Sequence, residues 1–524
     1  MTIDILVLPA KKIQMELMKF MSQIKHSEQI NTLYLLLLLI PSFLFFILKR
    51  FKTSSKFKSS PLPPGPSPWP ILGNILQIGE RPHLDFTSFA KTYGPLISLR
   101  FGNQLVIIGS SPVAATEILK AQDRTLSGRY VPHVAPAKSL EVNNLSLGWT
   151  LECNEYWRNL RTICRGELFS NTAISSFACI REKKVMEMLN LLRKMQGKVV
   201  KIRDVTFAAV FNIVSNILVS RDLINLDDES LSGETGKLVR DIMEVASAPN
   251  ISDFYPILSP FDLQGLRKKS NELCDRSSKM WEAIIKERKE TMKNGDASTQ
   301  KDFLDALMNN GCPDEQINML LLELLSAGTD TTSSAVEWIL VELLRNPVCM
   351  KKVKEELARE IKQEKSIKDS HLTNIPYLQA CMNEAIRLHP PSPLLLPHRA
   401  TESCQIMGYT IPKDAMVLVN FWAIGRDPTH WEDPLVFKPE RFLNSSLDFK
   451  GNDFQYIPFG AGRRICPGLP MAAKHVSLLA ASLIHFFDWS LPRDMDPNNL
   501  DMSEKFAISM VKDESLLVVP KIKI

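Results

Sequence analysis

FGAGRRICPG, residues 459–468, sets three glycines and two adjacent arginines around a single cysteine, and Pro467 bars the chain from continuing its local structure. Cys466 admits three readings: an inert buried thiol, a nucleophile or a metal ligand. An inert thiol has no use for Arg463 and Arg464, whereas a cationic, amide-rich loop draws a thiol toward thiolate. The glycines let backbone amides approach the sulfur, and donors to a metal-bound sulfur tune its electronics. After Pro467-Gly468, LPMAAKHVSLLAASLIHFF reads as a helix whose positive dipole end faces the sulfur.

A nucleophilic cysteine needs a partnering histidine, and none of the nine histidines sits in a recognisable signature. One thiolate cannot close a zinc or iron–sulfur site, which takes more ligands from the chain. It can be the single axial ligand of a haem, whose porphyrin supplies four donors and whose two propionates suit arginine. The other eight cysteines are scattered singly, with no CxxC pair, as expected of small buried hydrophobes in a reducing compartment.

Upstream, the spacing predicts a helix from Pro313 to Arg345, stopped by Asn346-Pro347. At ~1.5 Å per residue it spans about 50 Å. Its middle, AGTDTTSS (327–334), places poor helix formers among leucines, where a threonine can bond back to a carbonyl. Asp330 and Thr331 then offer a carboxylate and a hydroxyl able to pass protons; a small-residue crossing of two helices is the plainer alternative. EAIRLHPPSP holds Glu384 and Arg387 at i,i+3, and FKPERF presents Arg441; a buried Glu384–Arg387–Arg441 network would determine the fold rather than catalyse.

Across its 524 residues the chain is 45% hydrophobic with a net charge of +5. Its basic residues form no dense stripe, so nothing points to nucleic acid. Residues 31–48, NTLYLLLLLIPSFLFFIL, make an apolar run at the short end of the ~20 residues that span a bilayer. The basic cluster after it places the remainder in the cytosol. Four regions result: an N-terminal extension (1–30, on the lumenal side, without an assigned role), a transmembrane helix (31–48), a basic and proline-rich hinge (49–74) and a catalytic domain (75–524). PLPPGPSPWPILGN (61–74) reads as a stiff spacer. Beyond it, 96–110 reads as a β-hairpin, while 153–168, 180–196, 204–220, 265–293, 314–345, 347–363 and 376–388 have helical periodicity. The fold class is mainly α with a small β-sheet region.

Phe459, Gly462, Arg464, Cys466 and Gly468 match the haem-binding signature of the cytochrome P450 monooxygenases, and the chain from about residue 60 onward resembles that family. Ala327–Thr332 resembles its oxygen-activating helix motif, Glu384/Arg387 with Pro439–Phe442 its salt-bridge network, and Trp157–Arg161 its haem-edge helix. The resemblance implies the cytochrome P450 fold, with haem b (iron protoporphyrin IX) between a long central helix and a cysteine-ligand loop. It implies that Cys466 is the axial iron ligand and that Asp330 and Thr331 are the catalytic proton donors. It also implies that Arg129, Trp157, Arg161, His398, Phe459 and Arg464 bind the cofactor. Electrons would come from NADPH through a separate flavin reductase, with cytochrome b5 as a second donor. The catalytic domain would face the cytosol on a single pass through the endoplasmic reticulum membrane. Arg463 is left as a docking charge.

Within the family the chain is similar to plant alkaloid oxidases typified by (S)-N-methylcoclaurine 3′-hydroxylase and littorine mutase. The expected reaction is hydroxylation of a benzylisoquinoline- or tropane-type alkaloid. Phenol coupling, littorine-type rearrangement and monoterpenol hydroxylation are the alternatives by the same iron chemistry, and a haem sensor is the remote one. Specificity is expected from 131–149, 204–216, 243–255, 392–396, 507–511 and the helix before Asp330, with Leu324, Ala327, Leu395 and Ile508 in the pocket wall. Glu141 and Asp253 are the acids considered as partners for a protonated amine.

Overall fold

The computed structural model describes residues 61–134, 145–228, 231, 233–294, 302–362, 364, 366–443 and 445–523. The expected extension, transmembrane run and basic cluster, together with Glu141, lie outside them.

Asp314–Arg345 forms the central helix. Pro313 caps it instead of entering its first turn, and Asn346 ends it before Pro347 opens the next helix, Pro347–Ile361. Asp314 and Glu315 in its first turn and Arg345 in its last complement the dipole. Ile202–Val219 packs along it and is buried around nearly its whole circumference, as a helix apolar on every side must be. That helix and Leu469–Phe486 are apolar and long enough to cross a membrane, but 83% and 61% of their spans are buried inside the domain. They are core helices. The remaining expected helices appear as Glu155–Cys164, Ala178–Lys194, Leu266–Lys293 and Pro376–Leu388. Pro82–Tyr93 and Gly233–Ser247 are helices that periodicity missed.

The hairpin pairs Leu96–Phe101 with Gln104–Gly109, and its second strand runs parallel to Met416–Val419. His398–Arg399 and then Gly128–Arg129 extend this five-stranded sheet. Arg129 lies directly opposite His398 in that last pairing. Two residues expected at the haem edge are therefore brought together by strands only two residues long.

The proline-rich segment is not a free spacer. Ser98 donates from its amide to Pro64 O (2.9 Å) and from its hydroxyl to Pro63 O (2.6 Å), while Asn74 exchanges bonds with Arg100. Prolines cannot donate, so the segment lies along the hairpin's outer edge as an acceptor strand.

Candidate active site

Between the central helix and the Cys466 loop lies a cavity of about 420 Å³. Its wall includes Leu324, Ala327, Thr331, Leu395 and Ile508 on one side and Phe459, Cys466 and Gly468 on the other. The loop is shaped by a bond from Cys466 N to Phe459 O (3.0 Å) and by Gly462, whose φ is +69°. A Cβ at Gly462 would lie 2.2 Å from Leu119 O, so only glycine fits there.

The open side of Cys466 faces the cavity, and the amides of Gly468 and Leu469 point at its sulfur from the start of Leu469–Phe486. Burial nevertheless pushes the thiol upward, against the pull of Gly468, Arg161 and Leu469. The expected effect of the loop's own arginines is absent. Arg464 turns away to the carbonyls of Ser127 (2.8 Å), Leu147 (3.4 Å) and Thr150 (2.6 Å), and Arg463 pairs with Asp123 (3.0 Å). A coordinating metal cation is what would hold this sulfur deprotonated. Arg463, for which the sequence offers no role beyond a docking charge, is half-exposed and paired with Asp123.

One edge of the cavity is cationic. Arg129 donates to Gly148 O (3.1 Å) and Leu396 O (3.0 Å), and Arg161 donates to Ile465 O (2.6 Å). With Arg464 these make three guanidinium groups whose hydrogen bonds go only to carbonyls among the described residues. Burial, and then Arg464, lower Arg129 to about 9. His398 shares the edge, bonded through Nδ1 to Leu126 O (2.6 Å), and burial beside Arg129 holds it well below the ordinary histidine range. Trp157 stands behind this edge, not in the cavity wall; its indole N–H goes to Leu147 O (2.9 Å) and its ring lies under Arg464 (4.7 Å).

On the opposite wall the central helix bonds back on itself. Thr331 Oγ1 donates to Ala327 O (2.8 Å), and Ser326, Thr329 and Thr332 do likewise one turn below. Thr331 faces the cavity. Asp330 faces away from it, taking Arg203 at 2.9 Å. The geometry separates a pair that the motif suggested would act side by side, because adjacent helix positions point about 100° apart. Behind the site, Glu384 takes Arg387 through two bonds (2.7 and 2.8 Å) and Arg441 at 2.9 Å, with Glu384 and Arg387 fully buried. Arg387 further binds the carbonyls of Gly425 (2.5 Å) and Pro434 (2.8 Å). Asp253 is occupied by His133 (2.7 Å) outside the cavity.

A family model described as Cytochrome P450 matches residues 63–517. The chain belongs to the cytochrome P450 family. Among its relatives is (S)-N-methylcoclaurine 3′-hydroxylase isozyme 1 of Papaver somniferum, 47% identical over 93% of this chain and 99% of that protein. Corytuberine synthase of Coptis japonica is 43% identical over 92% of this chain and 98% of that protein. A solved zebra fish cytochrome P450 with progesterone superposes at a TM-score of 0.71, with 25% identity over 84% of this chain and 99% of that one.

The residues of this cytochrome P450 monooxygenase fit the haem that the family implies. A buried edge with three cations and no acid in salt-bridge contact calls for an anion, and a single inward sulfur calls for a ligand set it does not itself complete. Among the described residues no cluster of three His, Cys, Asp or Glu could hold a metal otherwise. Sequence reasoning missed Glu323, Arg203 and Asp123. Glu323 was the most legible of them, as the one acid in the run MLLLELLSAG.

Proposed function

We propose that this cytochrome P450 hydroxylates a benzylisoquinoline-type alkaloid. The observation carrying the reading is the 47% identity, over 93% of the chain, to a protein named as an N-methylcoclaurine hydroxylase. The cavity agrees in character: its substrate wall is largely leucine, isoleucine, valine and alanine, which suits a polycyclic apolar ligand.

Cys466 would ligate the haem iron, with the amides of Gly468 and Leu469 steadying the charge on sulfur. Arg129, Arg161 and Arg464 would take its propionates, His398 would line their side, and Phe459 would pack near the ring. When bound, haem supplies oxygen activation, using electrons that originate in NADPH and arrive through a separate flavin reductase or cytochrome b5. Thr331 Oγ1, in the cavity wall, holds the proton needed there. Asp330, about one-fifth exposed and tied to Arg203 on the far side of the helix, does not touch Thr331 and would act at most by holding that side of the helix to Arg203. The chain would sit on the endoplasmic reticulum membrane through residues 31–48, facing the cytosol.

The test is incubation with reductase, NADPH and a panel of benzylisoquinolines, littorine and geraniol, followed by mass analysis. A benzylisoquinoline product heavier by one oxygen atom is expected. Loss of two hydrogens would mark ring coupling instead, and turnover confined to littorine or geraniol would overturn the substrate assignment. In the same assay Thr331→Ala should lower product per NADPH roughly tenfold, the rest leaving as hydrogen peroxide. That is below the ~10²-fold worth of a positioned proton donor, because water stands in partly. Unchanged coupling would remove Thr331 from this role.

A further inference from the structure

Glu323 lies one turn before Ala327 on the central helix and is the only carboxylate among the described residues of the cavity wall. Both its oxygens are engaged. Oε2 accepts from Ser146 Oγ and from Leu147 N, each at 2.9 Å, and Oε1 accepts from Gly148 N. A Cβ at Gly148 would stand 2.5 Å from Oε1, so a side chain there would have to displace the carboxylate. Ser146 also takes Trp149 N at 2.8 Å, which tightens the turn.

The carbonyls of this pinned segment serve the cationic edge. Leu147 O accepts from Trp157 Nε1 (2.9 Å) and Arg464 Nη1 (3.4 Å), Gly148 O from Arg129 Nε (3.1 Å), and Thr150 O from Arg464 Nη2 (2.6 Å). One carboxylate on the substrate wall thus sets, through the backbone between Ser146 and Thr150, the side chains that face the cofactor edge. The charges are complementary as well. Three guanidinium groups less one carboxylate leave two positive charges, the complement of two propionates.

We propose that Glu323 is a positioning residue, clamping Ser146–Gly148 to the central helix so that the Leu147, Gly148 and Thr150 carbonyls aim Arg129 and Arg464 at the haem propionates. Burial pushes the carboxyl upward while its Leu147, Ser146 and Gly148 donors and Arg464 pull it back, so the ionised form depends on the clamp being made. The rival role is counter-ion to a protonated amine substrate. Against it stand the three donors already on the carboxylate and the nearby Arg129 and Arg464, whose field repels a cation.

The experiment is ferric haem transfer from the full-length holoenzyme to excess apomyoglobin, with the ferric–ferrous midpoint potential measured in parallel. Glu323→Ala should lose haem about tenfold faster, the factor that one charge-assisted hydrogen bond is worth. Glu323→Gln keeps the shape but not the charge; it should lose haem at an intermediate rate and shift the potential positive, because uncompensated cations favour the reduced centre. Gly148→Ala leaves Glu323 in place but displaces its carboxylate, and should match Glu323→Ala. The double variant should be no faster than the worse single, since both break one clamp. If Glu323→Ala does not fold, the Gln and Gly148→Ala variants decide. Unaltered haem loss and potential in both would overturn the proposal, as would additive effects in the double. Weaker binding of an amine but not of its neutral N-acyl analogue, with haem loss unchanged, would assign Glu323 to the substrate instead. The haem-loss and potential readouts do not depend on which substrate the enzyme hydroxylates.

Discussion

Replacing Cys466 by Ser should abolish monooxygenase turnover while leaving the fold in place. The substitution changes one atom in a loop whose shape is held by other groups: the Cys466 amide on Phe459 O, Gly462 against Leu119 O, and Arg464 on three carbonyls. None of these needs sulfur. Loss of a partner one shell out from a metal costs about 10–100-fold, and loss of the proposed iron ligand itself should exceed that. A serine hydroxyl in the same place meets the same burial that raises the cysteine thiol, starts from a higher pKa, and offers no anionic ligand near neutrality. Thermal unfolding of the apoprotein should be unchanged within about 1 kcal/mol, the scale of a tolerated isosteric swap. Retention of turnover by Cys466→Ser would show that another group ligates the iron.

Glu384→Ala should prevent accumulation of a folded protein. Glu384 and Arg387 are fully buried, and Arg441 and the Lys438 amide (2.9 Å) complete the carboxylate's partners. A buried pair of this kind adds little net stability when formed but costs ~3–5 kcal/mol when one partner is removed, since the other charge stays unpaired in the interior. Against a total of about 5–15 kcal/mol that is a fifth or more of the fold's stability. The loss also frees Arg387, which ties the helix Pro376–Leu388 to the Gly425 and Pro434 carbonyls and so anchors the segment leading to the cysteine loop. Glu384→Gln, which keeps both acceptor positions in part, should fall between. Arg441→Ala should be mildest, because Arg387 still neutralises Glu384. Expression yield, haem incorporation and apoprotein melting should follow that order; equal tolerance of all three would show the network to be surface decoration.

Local chemistry was the legible part. Glycines, a lone cysteine and a helix start in one decapeptide mark a loop built for a site, and the structure sets that loop against the cavity. The long helices were legible because tens of residues repeat one period. The sheet beyond the hairpin was not: His398–Arg399 and Gly128–Arg129 are too short to show alternation, and their pairing joins distant parts of the chain. Charge partners were the least legible. The arginines beside Cys466 read as activators of its sulfur, yet one is spent on Asp123 and the other on backbone carbonyls. Asp330 read as Thr331's neighbour in the cavity and instead holds Arg203. Glu323 lay in plain view as a lone acid among leucines, but its partners are backbone amides, which carry no side-chain signal.

The carbon monoxide spectrum of the reduced, full-length protein tests the account most directly. On the proposed assignment of Cys466 as iron ligand, the Soret band should stand at the long-wavelength position of thiolate ligation and disappear in Cys466→Ser. A band at the position of histidine ligation, or one that survives the substitution, would contradict the assignment of Cys466.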